Sequence, residues 1–98
     1  MKKQKLDYAQ LRKAALVLRS VNHKLRQQIM ELLEENEKMT VTQLYIKLRI
    51  EQSVASQHLA ILRKQKVVVT ERNGKFIYYS VDKNRIGKID KFVGNILE

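Results

Sequence analysis

The chain has 98 residues, a hydrophobic fraction of 44% and a formal net charge of +10, from 20 Lys and Arg against 10 Asp and Glu. This length suits one compact domain with a modest core, and the absence of cysteine excludes disulfide frameworks and thiolate metal sites. No apolar run approaches the roughly 18 residues of a membrane span, and the basic N-terminus lacks the apolar segment of a signal peptide, so we expect a cytoplasmic protein.

The excess of positive charge is unevenly distributed along the chain. Residues 27–51 hold five acidic and three basic side chains, whereas residues 52–85 hold two acidic and seven basic ones. A cationic excess on a small domain indicates a polyanionic partner, although a solvated cationic surface would have the same composition. The excess belongs partly to the second half of the chain and partly to the N-terminal arm.

Apolar residues at helical spacing predict four helices before residue 66. The first covers roughly residues 5–19, and Asn22 is the expected N-cap of the second. Thr40 is expected to cap a short third helix. A brief connection then leads to a fourth helix over residues 53–65.

The periodicity changes after the fourth helix. Two β-branched and aromatic segments within residues 67–81 flank Asn73-Gly74. This pair predicts a hairpin with a type I′ turn, because both central residues of that turn need positive φ. A last helix begins near Lys83. The order ααααββα, mainly α with a small β-hairpin, is that of a winged helix-turn-helix that occupies residues 1–98 as a single domain.

The fourth helix has two contrasting sides on a helical wheel. The apolar side, which we expect to be buried, comprises Val54, Ala55, His58, Leu59, Ile61 and Leu62. The opposite side comprises Ser53, Ser56, Gln57, Ala60, Arg63 and Lys64. Short hydrogen-bonding side chains can reach base edges in the major groove, and cations can reach phosphates. Such a side is also common on helices that bind nothing, but the neighbouring short helix, tight turn and cationic hairpin favour a DNA-recognition helix.

The roles of three residues, one in this helix and two on the hairpin, have alternative interpretations. We favour His58 as a half-buried residue that is hydrogen-bonded within the domain, with a contact to the DNA backbone as the alternative and metal ligation least favoured. Arg72 and Lys75 flank the hairpin tip, where they are predicted to bind the flanking minor groove or the DNA backbone. Cations on a hairpin otherwise protect its edge against pairing with other strands.

Several short motifs identify a family over about residues 22–82. They are Leu25-Arg26 … Ile29 … Leu32-Leu33, Val41-Thr-Gln-Leu44, Val54-Ala-Ser-Gln-His-Leu-Ala-Ile-Leu62 and Asn73-Gly-Lys … Tyr78-Tyr-Ser-Val81. Together they resemble the ArsR-type winged-helix repressors. The resemblance implies a homodimer that represses transcription by binding an operator in double-stranded DNA and is released by an inducer. It also implies a DNA-contacting set of Gln52, Ser53, Ser56, Gln57 and His58.

The known sensing sites of that family are not matched in this chain. Where members that sense arsenic have a Cys-x-Cys pair in the third helix, this chain has Tyr45 and Lys47. Where members that sense zinc-like ions have Asp and His at the start of the last helix, it has Lys83 and Arg85, whose charges repel a metal ion. We therefore predict no metal or other cofactor and leave the inducer unidentified. Lys66 replaces the usual Gly after the fourth helix, and because lysine tolerates positive φ poorly, we expect the helix end to differ locally.

The first and last helices carry more apolar residues than a small core needs, although some of them must cover that core. A homodimer formed through these helices would place two recognition helices about one DNA turn apart and would require a palindromic operator. The apolar positions expected at this interface are Leu6, Leu11, Ala15, Leu18, Ile86, Ile89, Phe92, Val93 and Ile96.

Two other classes of function compete with a DNA-binding repressor. An enzyme is disfavoured, because the sequence offers no paired carboxylates, no nucleophile beside a base and no Gly-rich phosphate loop. A winged-helix module that binds a protein partner, or an antirepressor without operator binding, is the stronger alternative. Binding through several phosphates makes log affinity fall linearly with log salt, whereas the interaction module predicts negligible salt dependence.

Overall fold

A computed structural model describes residues 7–97, with the side chains of residues 7–95. The elements are α1 Tyr8–Val21, α2 Lys24–Asn36, α3 Val41–Leu48, α4 Gln52–Lys64, β1 Val68–Asn73, β2 Phe76–Val81 and α5 Lys83–Leu97. This order confirms the prediction of a mainly α, winged helix-turn-helix fold. The predicted start of the first helix at residue 5, and Leu6, lie outside the described residues. None of the described helices is long and apolar enough to cross a membrane.

Side-chain caps fix where α2 and α3 begin. His23 accepts a hydrogen bond from the backbone N–H of Leu25 at 3.2 Å, so His23 and not Asn22 is the N-cap of α2. Asn22 instead ends α1, because its own N–H is bonded to the carbonyls of that helix. The predicted cap at Thr40 is confirmed: Thr40 and Gln43 exchange side-chain and backbone hydrogen bonds in a capping box.

One buried apolar cluster holds the helices and the sheet together. Burying a large aliphatic side chain contributes roughly 1.5–3 kcal/mol, so this cluster makes a large contribution to stability. In α5, Ile86 and Ile89 are half-buried and pack against the cluster. The cluster comprises Val17, Ile29, Leu33, Met39, Leu44, Leu59, Leu62, Val67 and Val68.

The hairpin, called the wing below, is rooted in this core. Its register runs from Val68 opposite Val81 to Asn73 opposite Phe76, so the connecting residues are Gly74 and Lys75. The predicted type I′ turn centred on Asn73-Gly74 is therefore wrong. Of the two connecting residues only Gly74 has positive φ, at 65°, which is the pattern of a type II′ turn. The pairing of buried Val68 with Val81 at the base sets the register, and the turn at the tip follows from it.

Three helices end at a residue with positive φ. Glu37 after α2 has φ 66°, Arg49 after α3 has φ 57° and Lys66 after α4 has φ 61°. After α4, the N–H of Lys66 donates to Arg63 O at 2.9 Å and that of Val67 donates to Leu62 O at 3.2 Å. These are the two bonds of the usual glycine-type helix end. The expected local difference at Lys66 is therefore wrong, because the lysine adopts the strained conformation and the helix end is unchanged.

Candidate nucleic-acid interface

The two sides of α4 differ in exposure as the sequence predicts. Ala55, Leu59 and Leu62 are 0%, 1% and 0% exposed. They pack in the interior, where α4 meets α3, α2, α1 and β1. Gln52, the first residue of the helix, is exposed. We define the exposed face of α4 as Ser53, Ser56, Gln57, Ala60, Arg63 and Lys64, all of which are exposed.

The predicted apolar side of α4 is too wide at one edge. Val54 and His58 are half-buried, but Ile61 is 41% exposed, so its predicted burial is wrong. At about 100° per residue, Ile61 lies roughly 130° from the centre of the buried arc, whereas His58 lies only about 70° away. The arc that α4 buries is therefore narrow, and Ile61 falls outside it.

His58 lies in a polar cluster that links α4 to α1 and α2. Arg26 Nη1 donates to His58 Nδ1 at 3.2 Å, and the rings of His58 and His23 have centroids 4.8 Å apart. Arg26 also donates to the carbonyl oxygens of Ser20 and Arg19 at the end of α1. Burial lowers the pKa of His58, and the nearby charges of His23 and Arg26 lower it further. A neutral imidazole is the form that can accept from a guanidinium, so the hydrogen bond and the lowered pKa agree.

This geometry matches the favoured interpretation of His58, a half-buried side chain hydrogen-bonded within the domain. Sequence reasoning gave no role to its partner Arg26. The only signal was that Arg26 belongs to the Leu25-Arg26 motif. A contact between His58 and DNA stays a prediction.

The cations of the wing lie near its tip. Arg72 Nε donates to the carbonyl of Gly74 at 3.2 Å, and Lys75 Nζ lies 5.6 Å from the centroid of the Phe76 ring. Both residues are exposed. The same wing carries Tyr79 in a half-buried position beside α4, which sequence reasoning quoted as part of a motif without assigning it a role. DNA contacts by Arg72 and Lys75 also stay predictions.

The predicted dimer residues with described side chains lie on α1 and α5, and these two helices contact each other. In α1, Leu11 is half-buried, Ala15 is exposed and Leu18 is 44% exposed. In α5, the half-buried residues are Ile86, Ile89, Phe92 and Val93, and the side chain of Ile96 lies outside the described residues. A cleft of about 150 Å³ between the two helices is lined by Val17, Leu18, Val21, Ile86, Ile89, Asp90 and Val93.

The described part of the chain brings no metal-binding group together. Among these residues, no three His, Cys, Asp or Glu side chains lie close enough to hold an ion. At the start of α5, Asp82 instead accepts from the backbone N–H of Arg85 at 3.1 Å, and Arg85 Nε donates to Gln65 O at 3.4 Å. The first bond caps the start of α5, and the second connects α5 to the end of α4.

Comparison with known proteins places this architecture in a family. The model of the bacterial regulatory protein, arsR family, matches residues 23–69. The transcriptional repressor PagR of Bacillus anthracis is 34% identical over 92 residues, which cover 94% of this chain and 92% of PagR. Its crystal structure matches with a TM-score of 0.73 and 33% identity, covering 88% of this chain and 99% of that one.

Two further relatives are similar over most of the chain. The crystal structure of NolR from Sinorhizobium fredii has a TM-score of 0.73 and 33% identity, and 96% of each chain is covered. The transcriptional activator HlyU of Vibrio cholerae is 32% identical over 76% of this chain and 68% of HlyU. With its winged helix-turn-helix fold and these relatives, the chain belongs to the arsR family of bacterial regulatory proteins.

Proposed function

We propose that this regulator binds a specific double-stranded DNA sequence through the exposed face of α4 in the major groove, with the wing over the flanking minor groove. The observation that carries the proposal is that one side of α4 is fully buried while six small, polar or cationic residues are exposed on the other. A helix held rigidly by its apolar side can present hydrogen-bonding groups to base edges at a fixed distance.

The chemistry of the exposed face suits a division of roles. Gln57 can both donate to and accept from an adenine, and Ala60 is small enough to contact a thymine methyl group. Arg63 and Lys64 occupy the last turn of α4, where their charges can neutralise phosphates. Lys75 at the wing tip can do the same on the flanking backbone. We therefore assign base discrimination to the middle of α4 and charge neutralisation to its end and to the wing.

We further propose a homodimer that uses α1 and α5 and reads a palindromic operator. Leu18 is 44% exposed beside an apolar cleft, and a second copy of the chain would cover it. A two-fold axis relates two α4 helices and hence two half-sites.

PagR is a repressor and HlyU is an activator, and we propose repression for this chain, because PagR matches more of it. The proposal assigns no enzymatic activity to the protein. It places the protein in the cytoplasm, together with the DNA that it binds.

Two alanine substitutions test this proposal. Gln57→Ala should lose about 1–3 kcal/mol of discrimination between the best-bound duplex and a scrambled duplex. Lys75→Ala should instead weaken binding to both duplexes by the same factor and should reduce the dependence of log affinity on log salt. The measurement is equilibrium binding of both variants to both duplexes at several salt concentrations. Equal losses by both variants on both duplexes would contradict the division of roles, and binding that ignores salt would favour an interaction module.

A further inference from the structure

A cleft of about 390 Å³ separates α4 from the wing. Its surface combines two cations, two hydroxyl-bearing side chains and a small apolar floor. The residues that line it are Ser56, Leu59, Ala60, Arg63, Lys64 and Tyr79. Such a mixture of positive charge and hydroxyl donors suits an anionic group with several oxygen acceptors.

The position of the cleft identifies that anion, provided that the proposed function is correct. In duplex DNA, one sugar–phosphate strand separates the major groove from the adjacent minor groove. If α4 enters the major groove and the wing covers the neighbouring minor groove, that strand must pass between the two elements. The cleft is the space between them, so a backbone phosphate is the group it would receive.

The backbone of Tyr79 is held rigidly beside this cleft. Tyr79 pairs with Thr70 in the wing ladder, and on its other side it exchanges hydrogen bonds with Met39, at 2.7 Å from Tyr79 N to Met39 O and 3.0 Å from Met39 N to Tyr79 O. Residues directly opposite one another in an antiparallel pair share a face of the sheet. Tyr79 and Thr70 therefore share a face with Arg72, two residues further along β1.

The hydroxyl of Tyr79 is available to a ligand. Within residues 7–95, no side chain or backbone group forms a hydrogen bond with it. The same residues contain no buried side-chain oxygen or nitrogen atom without a partner, so this hydroxyl is accessible to solvent although the residue is half-buried. Its ring meanwhile packs against the core cluster. Tyr79 thus combines a fixed ring with a free donor.

We propose that the cleft between α4 and the wing binds one DNA backbone phosphate and that the Tyr79 hydroxyl donates a hydrogen bond to it. Arg63 and Lys64 supply the opposing charge, and the small side chain of Ala60 lets the strand approach α4 closely. The bound phosphate fixes the depth and register of α4 in the groove. Tyr79 therefore contributes equally to the affinity for every duplex, whatever its sequence.

Tyr79→Phe tests this assignment, because it removes the hydroxyl and keeps the ring in the core. A hydrogen bond to a charged group supports a loss of about tenfold or more in affinity, equal on the best-bound and the scrambled duplex. Tyr78→Phe is the matched control: Tyr78 is the neighbouring residue on the other face of β2, where Lys38 Nζ lies 5.2 Å from its ring centroid. This control should bind as wild type does. Thermal unfolding of both variants should match that of wild type.

Duplexes with one neutral methylphosphonate in each half-site, at symmetry-related backbone positions that are moved stepwise along the duplex, locate the phosphate itself. At the position seated in the cleft, Tyr79→Phe should lose clearly less affinity relative to wild type than it does on the unmodified duplex, because a hydrogen bond to a neutral oxygen is weaker than one to a charged oxygen. At all other positions Tyr79→Phe should bind more weakly than wild type by the same factor as on the unmodified duplex. Unchanged affinity of Tyr79→Phe, or a loss that no methylphosphonate position reduces, would overturn the inference while leaving the role of Gln57 intact. If wild type bound no duplex at all, the proposed function would fail first.

Discussion

His58 connects the proposed DNA-reading helix to the rest of the molecule through its hydrogen bond with Arg26. Its pKa is lowered in the folded protein, mainly by burial, so the unfolded chain takes up the proton more readily. The contribution of neutral His58 to the free energy of unfolding should therefore be fully present above the unfolded-state pKa of about 6.5. It should decrease as the pH falls below that value. Protonation would also remove the acceptor for Arg26.

His58→Gln isolates this effect, because glutamine offers an acceptor to Arg26 without titrating. We expect wild type to lose more stability than His58→Gln between about pH 7.5 and about pH 5.5. Denaturant unfolding of both proteins at the two pH values measures the difference. Equal losses would mean that another group is responsible for the acid sensitivity.

Single residues also show which contacts could not be predicted from the sequence. The internal hydrogen bond of His58 follows from its place at the edge of an apolar arc, but its partner is 32 positions away and only the tertiary packing brings it near. Tyr79 is similar: its motif is visible in the sequence, whereas the cleft beside it is created by two separate elements. Ile61 was misplaced because a helical wheel does not show how narrow the buried arc is.

At the scale of elements, the junction between α4 and the wing contains avoidable backbone strain. Lys66 has φ 61°, and this conformation costs a residue with a Cβ roughly 1–2 kcal/mol. Glycine avoids that cost, but its larger loss of conformational entropy on folding costs about 0.5–1 kcal/mol. Lys66→Gly should therefore raise the free energy of unfolding by about 0.5–1 kcal/mol. Denaturant unfolding at neutral pH measures this gain.

Lys66→Ala is the matched control for this gain, because it removes the same charged side chain but keeps the Cβ. It should not stabilise the protein. An increase with alanine as large as that with glycine would attribute the effect to the lost charge of the lysine and not to the backbone.

The elements themselves were largely predictable, but only some of their ends were. Apolar periodicity and Thr40 gave the helices, since a capping box leaves a direct mark in the sequence. The Asn73-Gly74 pair located the turn but misassigned its type, because pairing at the buried base of the wing decides the register. Local turn preference is weaker than the burial of Val68.

On the scale of the whole molecule, the outer helices leave apolar surface uncovered. The chain measures 53 × 25 × 21 Å, and its radius of gyration of 15.4 Å exceeds the value of about 13 Å expected for a compact domain of this length. Ile86 and Ile89 cover the domain's own core, yet Leu18 stays 44% exposed. The family and the fold class were predictable from the motifs, whereas this division of apolar residues between core and surface depends on how α5 packs.

Leu18→Glu tests the proposed dimer. Because Leu18 is exposed, the monomer should fold, but a carboxylate facing its counterpart across a two-fold interface should favour dissociation. Sedimentation should show a dimer for wild type and a monomer for the variant. Ile46→Glu is the control, since Ile46 is 62% exposed on α3, outside the proposed interface, and should leave the dimer intact. A monomeric wild type, or a Leu18→Glu dimer as stable as wild type, would contradict the assignment of α1 and α5.

The central claim is that the exposed face of α4 reads duplex DNA, and selection of bound duplexes from a random pool tests it most directly. We expect wild type to enrich a palindrome whose half-sites lie about ten base pairs apart. Selection with Gln57→Ala should relax the preference at one position in each half-site. Failure of wild type to enrich any sequence would contradict the claim.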